Sequence, residues 1–295
     1  MSYIYPPKGK AQEFVESSPD ANDGLALNLY HGCDHKCAYC YVPTLPPFKF
    51  EGSEFHEDQK LTARELFHSG AHSRDGIVKG LIKECERAKP AQKAKILLLC
   101  FTCDPYPMEP EHDITRTCLD ILAHYQFRNV TILTKGGTRA CDDFDILQRN
   151  FWSFGTTAVA TSDDWLSYPD CEHCPSKVDP RICPECNGPR AGLEPYAASF
   201  YDRLEAIRKA REMGIRTWVS LEPVIEPSEA LRVIEALKDY VDLWKVGKLN
   251  HGAKISTLMG QYERTANWRK FCKDARAALA GKRVYWKKSL QPFMD

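Results

Sequence analysis

No apolar run in this chain approaches the roughly 20 residues that a bilayer-spanning helix needs, so no transmembrane helix is expected. There is no net charge either: 40 Lys and Arg balance 40 Asp and Glu. That argues against a wholesale polyanion binder, which carries a basic excess. Residues 1–17 hold no apolar core of the kind a secretory signal has, and the expected compartment is the cytoplasm. The chain shows no internal repeat and no low-complexity tract. Hydrophobic residues at 43% supply enough apolar surface to offset chain entropy, which excludes disorder as the dominant state. The 295 residues fit two domains or one large α/β barrel.

What the chain has in quantity is cysteine, thirteen in all. In a reducing compartment disulfides are a poor explanation, and metal binding or catalysis becomes the default. Cys33, Cys37 and Cys40 form one cluster, and Cys171, Cys174, Cys183 and Cys186 a second. Cys85, Cys118 and Cys272 fall in helical patterns and read as small buried hydrophobes. Cys141 lies in a polar turn and receives no role. Cys100 and Cys103 flank the end of an apolar run.

Hydrophobic periodicity places strands at 25–30, 94–100, 129–134, 154–160 and 216–221, with 243–247 and 283–286 as further strand candidates. Helical patterns cover 76–88, 114–125, 144–150, 200–213, 228–240 and 266–280. Gly214 suits a helix C-cap and Ser228 an N-cap. Strands alternating with helices give a parallel sheet with right-handed crossovers. Six or so such units make an α/β fold of the partial TIM type, an open (β/α)6 barrel. The expected layout is an N-terminal extension (1–24), the barrel (25–250), a cysteine-rich insertion after the fourth strand (163–192), and a basic C-terminal segment (251–295). Residues 43–58 read as a long loop between the first cysteines and the first helix.

Three cysteines spaced C-x3-C-x2-C cannot close a four-coordinate zinc site alone. They can hold three irons of a 4Fe–4S cube and leave the fourth iron open to a ligand. They follow a strand, where an α/β barrel carries its chemistry. With Tyr39 beside the last cysteine, this run resembles the signature of radical S-adenosylmethionine (SAM) enzymes. The likeness extends to the spore-photoproduct-lyase-like branch. Thr102, Asp104, Pro105 and Tyr106, with Glu109 following, resemble its T-x-D-P-Y stretch, and Thr134 and Lys135 its T-K-S motif. Glu194-Pro195, Arg203-Leu204 and Gly214-Ile215 resemble its E-P, R-L and G-I stations.

The resemblance implies that the open iron chelates the amine and carboxylate of SAM. Reductive cleavage then gives methionine and a 5′-deoxyadenosyl radical that abstracts hydrogen from the substrate. It implies cluster ligation by Cys33, Cys37 and Cys40, and adenine against the backbone of Tyr39. Cys103 and Asp104 would meet the SAM amine and Lys135 its carboxylate, a pairing that charge favours. Ser162 and Glu222 are further candidates for the ribose or methionyl part. An electron donor such as flavodoxin or ferredoxin is implied as a partner. The photoproduct lyases carry a hydrogen-donor cysteine three residues before the aspartate; here that position is Phe101, and Gly136 replaces the serine of the lysine motif. Cys100 and Cys103 flank Phe101 and are the candidate catalytic donors.

The second cluster is two C-x2-C knuckles in tandem, a strong metal signal. Its short, polar, proline-dotted surroundings offer no core of their own, so a metal would supply the folding energy. Zinc at Cys171, Cys174, Cys183 and Cys186 is expected, with an auxiliary 4Fe–4S cluster as the alternative. From residue 245 to the end, twelve basic residues face three acidic ones, interleaved with Trp244, Tyr262, Trp268, Tyr285 and Trp286. That mixture suits a nucleic-acid strand through phosphate neutralisation and base stacking. An enzyme working on a base must take it out of the stack. The reading is a radical SAM enzyme acting on a modified or damaged pyrimidine in DNA, by rearrangement (isomerase) or repair (lyase). The alternatives are a radical SAM enzyme for a peptide or small molecule with an auxiliary cluster, and a non-enzymatic zinc-bearing nucleic-acid-binding module.

Overall fold

The computed structural model describes residues 2–8, 12–13, 15, 24–45, 63–108, 114–161, 193–249, 252 and 257–294. The strands are β1 (Ile4–Tyr5), β2 (Leu25–Leu27), β3 (Tyr30–His31), β4 (His72–Ser73), β5 (Ile96–Leu99), β6 (Asn129–Thr134), β7 (Ser153–Thr157), β8 (Arg216–Val224), β9 (Leu243–Lys248) and β10 (Arg283–Trp286). Eight of them form one central sheet in the order β1-β2-β5-β6-β7-β8-β9-β10. Only β1 runs antiparallel to its neighbour. The class is mixed α/β with a mostly parallel sheet, as expected. Seven strands of this sheet are mutually parallel, one more than the six units expected, because 283–286 joins it beside β9. The segment after residue 250 is thus tied into the sheet.

Both faces of the sheet are covered, which is why its strands read as apolar runs. In β5, Leu97 and Leu99 enter the main core under the helices, while Leu98 packs on the other face with Leu133, Trp218 and Val15. The helices that supply the main core are amphipathic. Ile77–Arg87 buries Ile77, Leu81 and Cys85 at four-residue steps, and Trp268–Ala278 buries Trp268, Phe271, Cys272 and Ala275. Cys85, Cys118 and Cys272 are all buried in this core. Among the described residues no helix is long and apolar enough to cross a membrane.

Local readings changed where a distant partner intervened. The run 25–30 breaks at Asn28, and Tyr30–His31 pairs with His72–Ser73 in a separate two-stranded ribbon. Glu226 takes the helix cap expected of Ser228: its side chain accepts from Ser228 N, and Pro227 opens the helix. Gly214 follows the helix Phe200–Glu212 with φ +75°, a left-handed turn that glycine adopts without cost. A helix at Ala63–Phe67, which the sequence pattern did not reveal, precedes the ribbon strand β4.

Candidate metal and cofactor site

The chain leaves the C-terminal ends of the parallel strands in loops that converge on one region. After β2 come the cysteines, after β5 the turn 100–106, and after β6 Lys135. Cys37 and Tyr39 pack with Val159 and Ala160 beyond β7, with Ile225 beyond β8, with Leu249 beyond β9, and with Leu193. This is the face on which barrels of parallel strands place their chemistry.

The cysteine loop is fixed by its backbone. Gly32, at φ +76°, sits so close to the chain that an added Cβ would stand 2.2 Å from the Gly70 carbonyl oxygen. Cys33 N donates to Phe67 O at 3.0 Å, Ala38 N to Leu193 O at 2.9 Å, and Cys40 N to Cys37 O at 3.0 Å. Burial pushes all three thiols up, Cys37 to about 12, and Cys33 is raised further by Asp104 and by the other two cysteines. Unligated, the three groups are therefore held as thiols, and a metal that binds them must displace their protons. Among the described residues no three His, Cys, Asp or Glu side chains converge on a single ion. A cube instead takes one thiolate at each of three corners, which suits three separated thiols within electrostatic reach of one another.

Opposite the loop, Asp104 is engaged almost entirely by the protein. Its carboxylate accepts from Thr134 Oγ1 at 2.5 Å, Lys135 N at 2.8 Å and Tyr106 N at 2.9 Å, and His35 Nδ1 lies 3.4 Å away. Arg139 donates to His35 Nε2 at 3.1 Å, so the ring carries its proton on Nδ1, toward Asp104. Asp104 thus ties the end of β5 to the end of β6. The Lys135 ammonium lies 5.7 Å from the Tyr39 ring centre. Burial pulls it down, but Cys37, Glu194 and Asp104 hold it above its ordinary value.

Glu194 and Arg203, two stations of the sequence motif, meet as a buried ion pair at 2.5 Å. Tyr39 OH donates to the same carboxylate. Arg203 also donates to the carbonyls of Ala198 and Thr157, each at 2.8 Å. The motif residues flanking the third cysteine and those near residue 200 therefore form one unit.

Cys100 and Cys103, 2% and 9% exposed, lie side by side after β5. Asn28 clamps that turn, accepting from Phe101 N at 3.0 Å and Thr102 N at 3.1 Å while donating to Tyr5 OH at 2.5 Å. Sequence reasoning missed Asn28; its signal is a polar residue inside the apolar run 25–30. Glu222, two residues before the end of β8, pairs with the buried Lys287 of the C-terminal segment, a second residue not anticipated. Ser162, Glu109 and the four cysteines at 171, 174, 183 and 186 lie outside the described residues.

Of the aromatic residues of the basic segment, Tyr262 is half-buried and packs against the cluster that holds Cys37 and Tyr39. Trp244, Trp268 and Tyr285 are buried core, and Trp286 is half-buried. Arg264, Arg269, Lys270, Lys273, Arg276, Arg283 and Lys288 are exposed.

No protein-family model matches the chain, and no curated protein does. Solved structures do. A spore photoproduct lyase variant with bound SAM and dinucleoside spore photoproduct aligns over 92% of this chain and 79% of its own, with TM-score 0.53 and 14% identity. SuiB from Streptococcus suis, bound to its precursor peptide SuiA, aligns over 94% of this chain with TM-score 0.52 and 11% identity. The chain spans about half of SuiB's length. At these identities what is shared with both is the fold.

Proposed function

We propose that this chain is a radical SAM enzyme on a partial barrel, acting on a modified or damaged pyrimidine base in DNA. The observation that carries the first part is the loop at Cys33, Cys37 and Cys40, which packs over the C-terminal strand ends through Cys37, Tyr39 and Cys40 and has the Lys135 ammonium over the Tyr39 ring. Held there by Cys33, Cys37 and Cys40, a 4Fe–4S cluster with SAM would supply one-electron reducing chemistry and the means to abstract hydrogen from the substrate.

The chain's own residues hold that chemistry in place. Lys135 presents an ammonium suited to the SAM carboxylate. Asp104, its oxygens already engaged, sets the backbone of Lys135 and of the 104–106 turn rather than offering a free carboxylate to the amine. The Tyr39, Glu194 and Arg203 unit fixes the backbone of the cluster loop where adenine would lie. Glu222, a candidate for the ribose or methionyl part, is paired with Lys287. Cys100 and Cys103, which flank the donor position occupied by Phe101, are the candidate hydrogen donors for a repair reaction. A redox-neutral rearrangement would return the hydrogen from 5′-deoxyadenosine and need neither.

DNA is favoured as substrate by the exposed basic face and by the likeness to a lyase holding a dinucleoside photoproduct. A peptide is the second reading, favoured by the comparable likeness to SuiB with its peptide. Zinc at the four-cysteine segment, and a flavodoxin or ferredoxin as electron donor, belong to the proposal on the sequence alone.

The test is anaerobic reconstitution followed by assay of iron and 5′-deoxyadenosine. About four irons and reductive SAM cleavage are expected, and both are lost when Cys33, Cys37 and Cys40 are all changed to Ala. Retained cleavage in the triple variant refutes the assignment. Deuterium transfer into 5′-deoxyadenosine from labelled DNA, and not from peptide, decides the substrate.

A further inference from the structure

We infer that Arg64 and His68 are positioning residues for the cluster, holding from one helix face the backbone of all three ligand cysteines. The inference rests on the reading that Cys33, Cys37 and Cys40 carry that cluster. Arg64 and His68 stand four residues apart and therefore project from the same side of one helical turn. The turn is continuous between them, since His68 N donates to Arg64 O at 3.0 Å. The Arg64 guanidinium donates to Cys40 O at 2.7 Å and to Cys37 O at 3.3 Å. His68 Nδ1 donates to Cys33 O at 2.9 Å, and Phe67 O accepts from Cys33 N at 3.0 Å.

The physical need is plain. The loop 32–41 has no ladder of its own, and its carbonyls must find donors or remain open to water. A loop left to water would have to be ordered when the metal arrives, at the expense of affinity; one already tied offers its sulfurs in place. Arginine suits this task because its planar fork reaches two carbonyls at once, whereas a lysine reaches one. It also sets a cation beside an iron–sulfur site, and local charge and hydrogen bonding are among the factors that fix the reduction potential of such sites. Nothing in the spacing of the cysteines points to this helix, which stands more than twenty residues further along the chain.

The experiment compares the full chain with Arg64→Leu and Arg64→Lys. Each is reconstituted anaerobically with ferrous iron and sulfide, then assayed for iron and acid-labile sulfide, for the midpoint of cluster reduction, and for the electron paramagnetic resonance of the reduced state. Wild-type protein that takes up no iron refutes the cluster reading itself, before any variant is considered. Given a loaded wild type, Arg64→Leu is expected to hold less than half the iron, with a lower midpoint and an altered resonance in the fraction that loads. Arg64→Lys is expected to recover the midpoint while still loading less than wild type. Full loading in either variant, or an unchanged midpoint and resonance in Arg64→Leu, overturns the inference. Circular dichroism of the unloaded proteins separates loss of loading from loss of fold. If Arg64→Leu does not fold, the loading and midpoint of Arg64→Lys decide.

Discussion

Replacing Arg203 with methionine removes one member of an ion pair whose side chains are only 3% and 1% exposed. The Glu194 carboxylate is left buried, with Tyr39 OH still donating and Lys135 the nearest remaining cation. The carbonyls of Ala198 and Thr157 lose a donor each. Breaking a buried pair from one side costs about 3–5 kcal/mol, which at roughly 2–4 °C per kcal/mol lowers the melting temperature by about 6–20 °C. Glu194→Gln should cost less, because Arg203 keeps its two carbonyl acceptors. The double variant should cost less than the sum of the singles, by about 1–3 kcal/mol of coupling. The pH dependence has a definite sign. Burial works to raise the Glu194 carboxyl, yet Arg203 and Lys135 hold it below its ordinary value. In the wild type its stabilisation is present above the unfolded carboxylate range and is lost only as pH falls through the lower folded value. In Arg203→Met burial dominates and the carboxyl rises, so a penalty present at neutral pH is relieved on acidification. The deficit of the variant should therefore shrink between pH 7.5 and pH 5 in denaturant melts. A cost below about 1 kcal/mol, additive singles, or a deficit that grows with acidity would refute the reasoning.

Gly32→Ala should destabilise the cysteine loop by about 1–3 kcal/mol, since it needs φ +76° and meets the Gly70 carbonyl. An unchanged melting temperature and unchanged iron loading would count against the close approach. Cys171→Ser or Cys183→Ser should lower zinc content by metal analysis while leaving the iron at the first cluster; loss of about four irons instead assigns a second cluster to that segment. Cys100→Ala should cost about 1 kcal/mol, as expected for a buried truncation, and keep turnover, whereas Cys103→Ala should mainly weaken SAM binding measured by calorimetry. If either change leaves SAM cleavage intact but stops product formation, that cysteine is the hydrogen donor and the lyase reading displaces the isomerase one.

Much of this molecule is local, and what is local was legible. Helices at Ile77–Arg87, Ile114–His124 and Phe200–Glu212 fall within a residue of their expected bounds, because an apolar stripe at 3.6-residue spacing is a property of the segment itself. The strand Asn129–Thr134 and the order of strands follow from runs of apolar residues and from chain connectivity. The cysteine spacing carries its expectation of metal chemistry within a single segment. What the segment does not contain is its partner. Asn28 ends a strand because its carboxamide meets a turn more than seventy residues away. The helix Ala63–Phe67 is too short to be stable alone, and it forms where it can bind the cysteine loop. Tyr39, Glu194 and Arg203 were visible as separate letters of a motif, but their union in one buried network is a contact across more than 150 residues. Trp244 and Trp268 face inward because β9 and the helix that carries Trp268 close over the core. Periodicity reports which face of an element is apolar; only packing decides what that face, or the polar one, will meet.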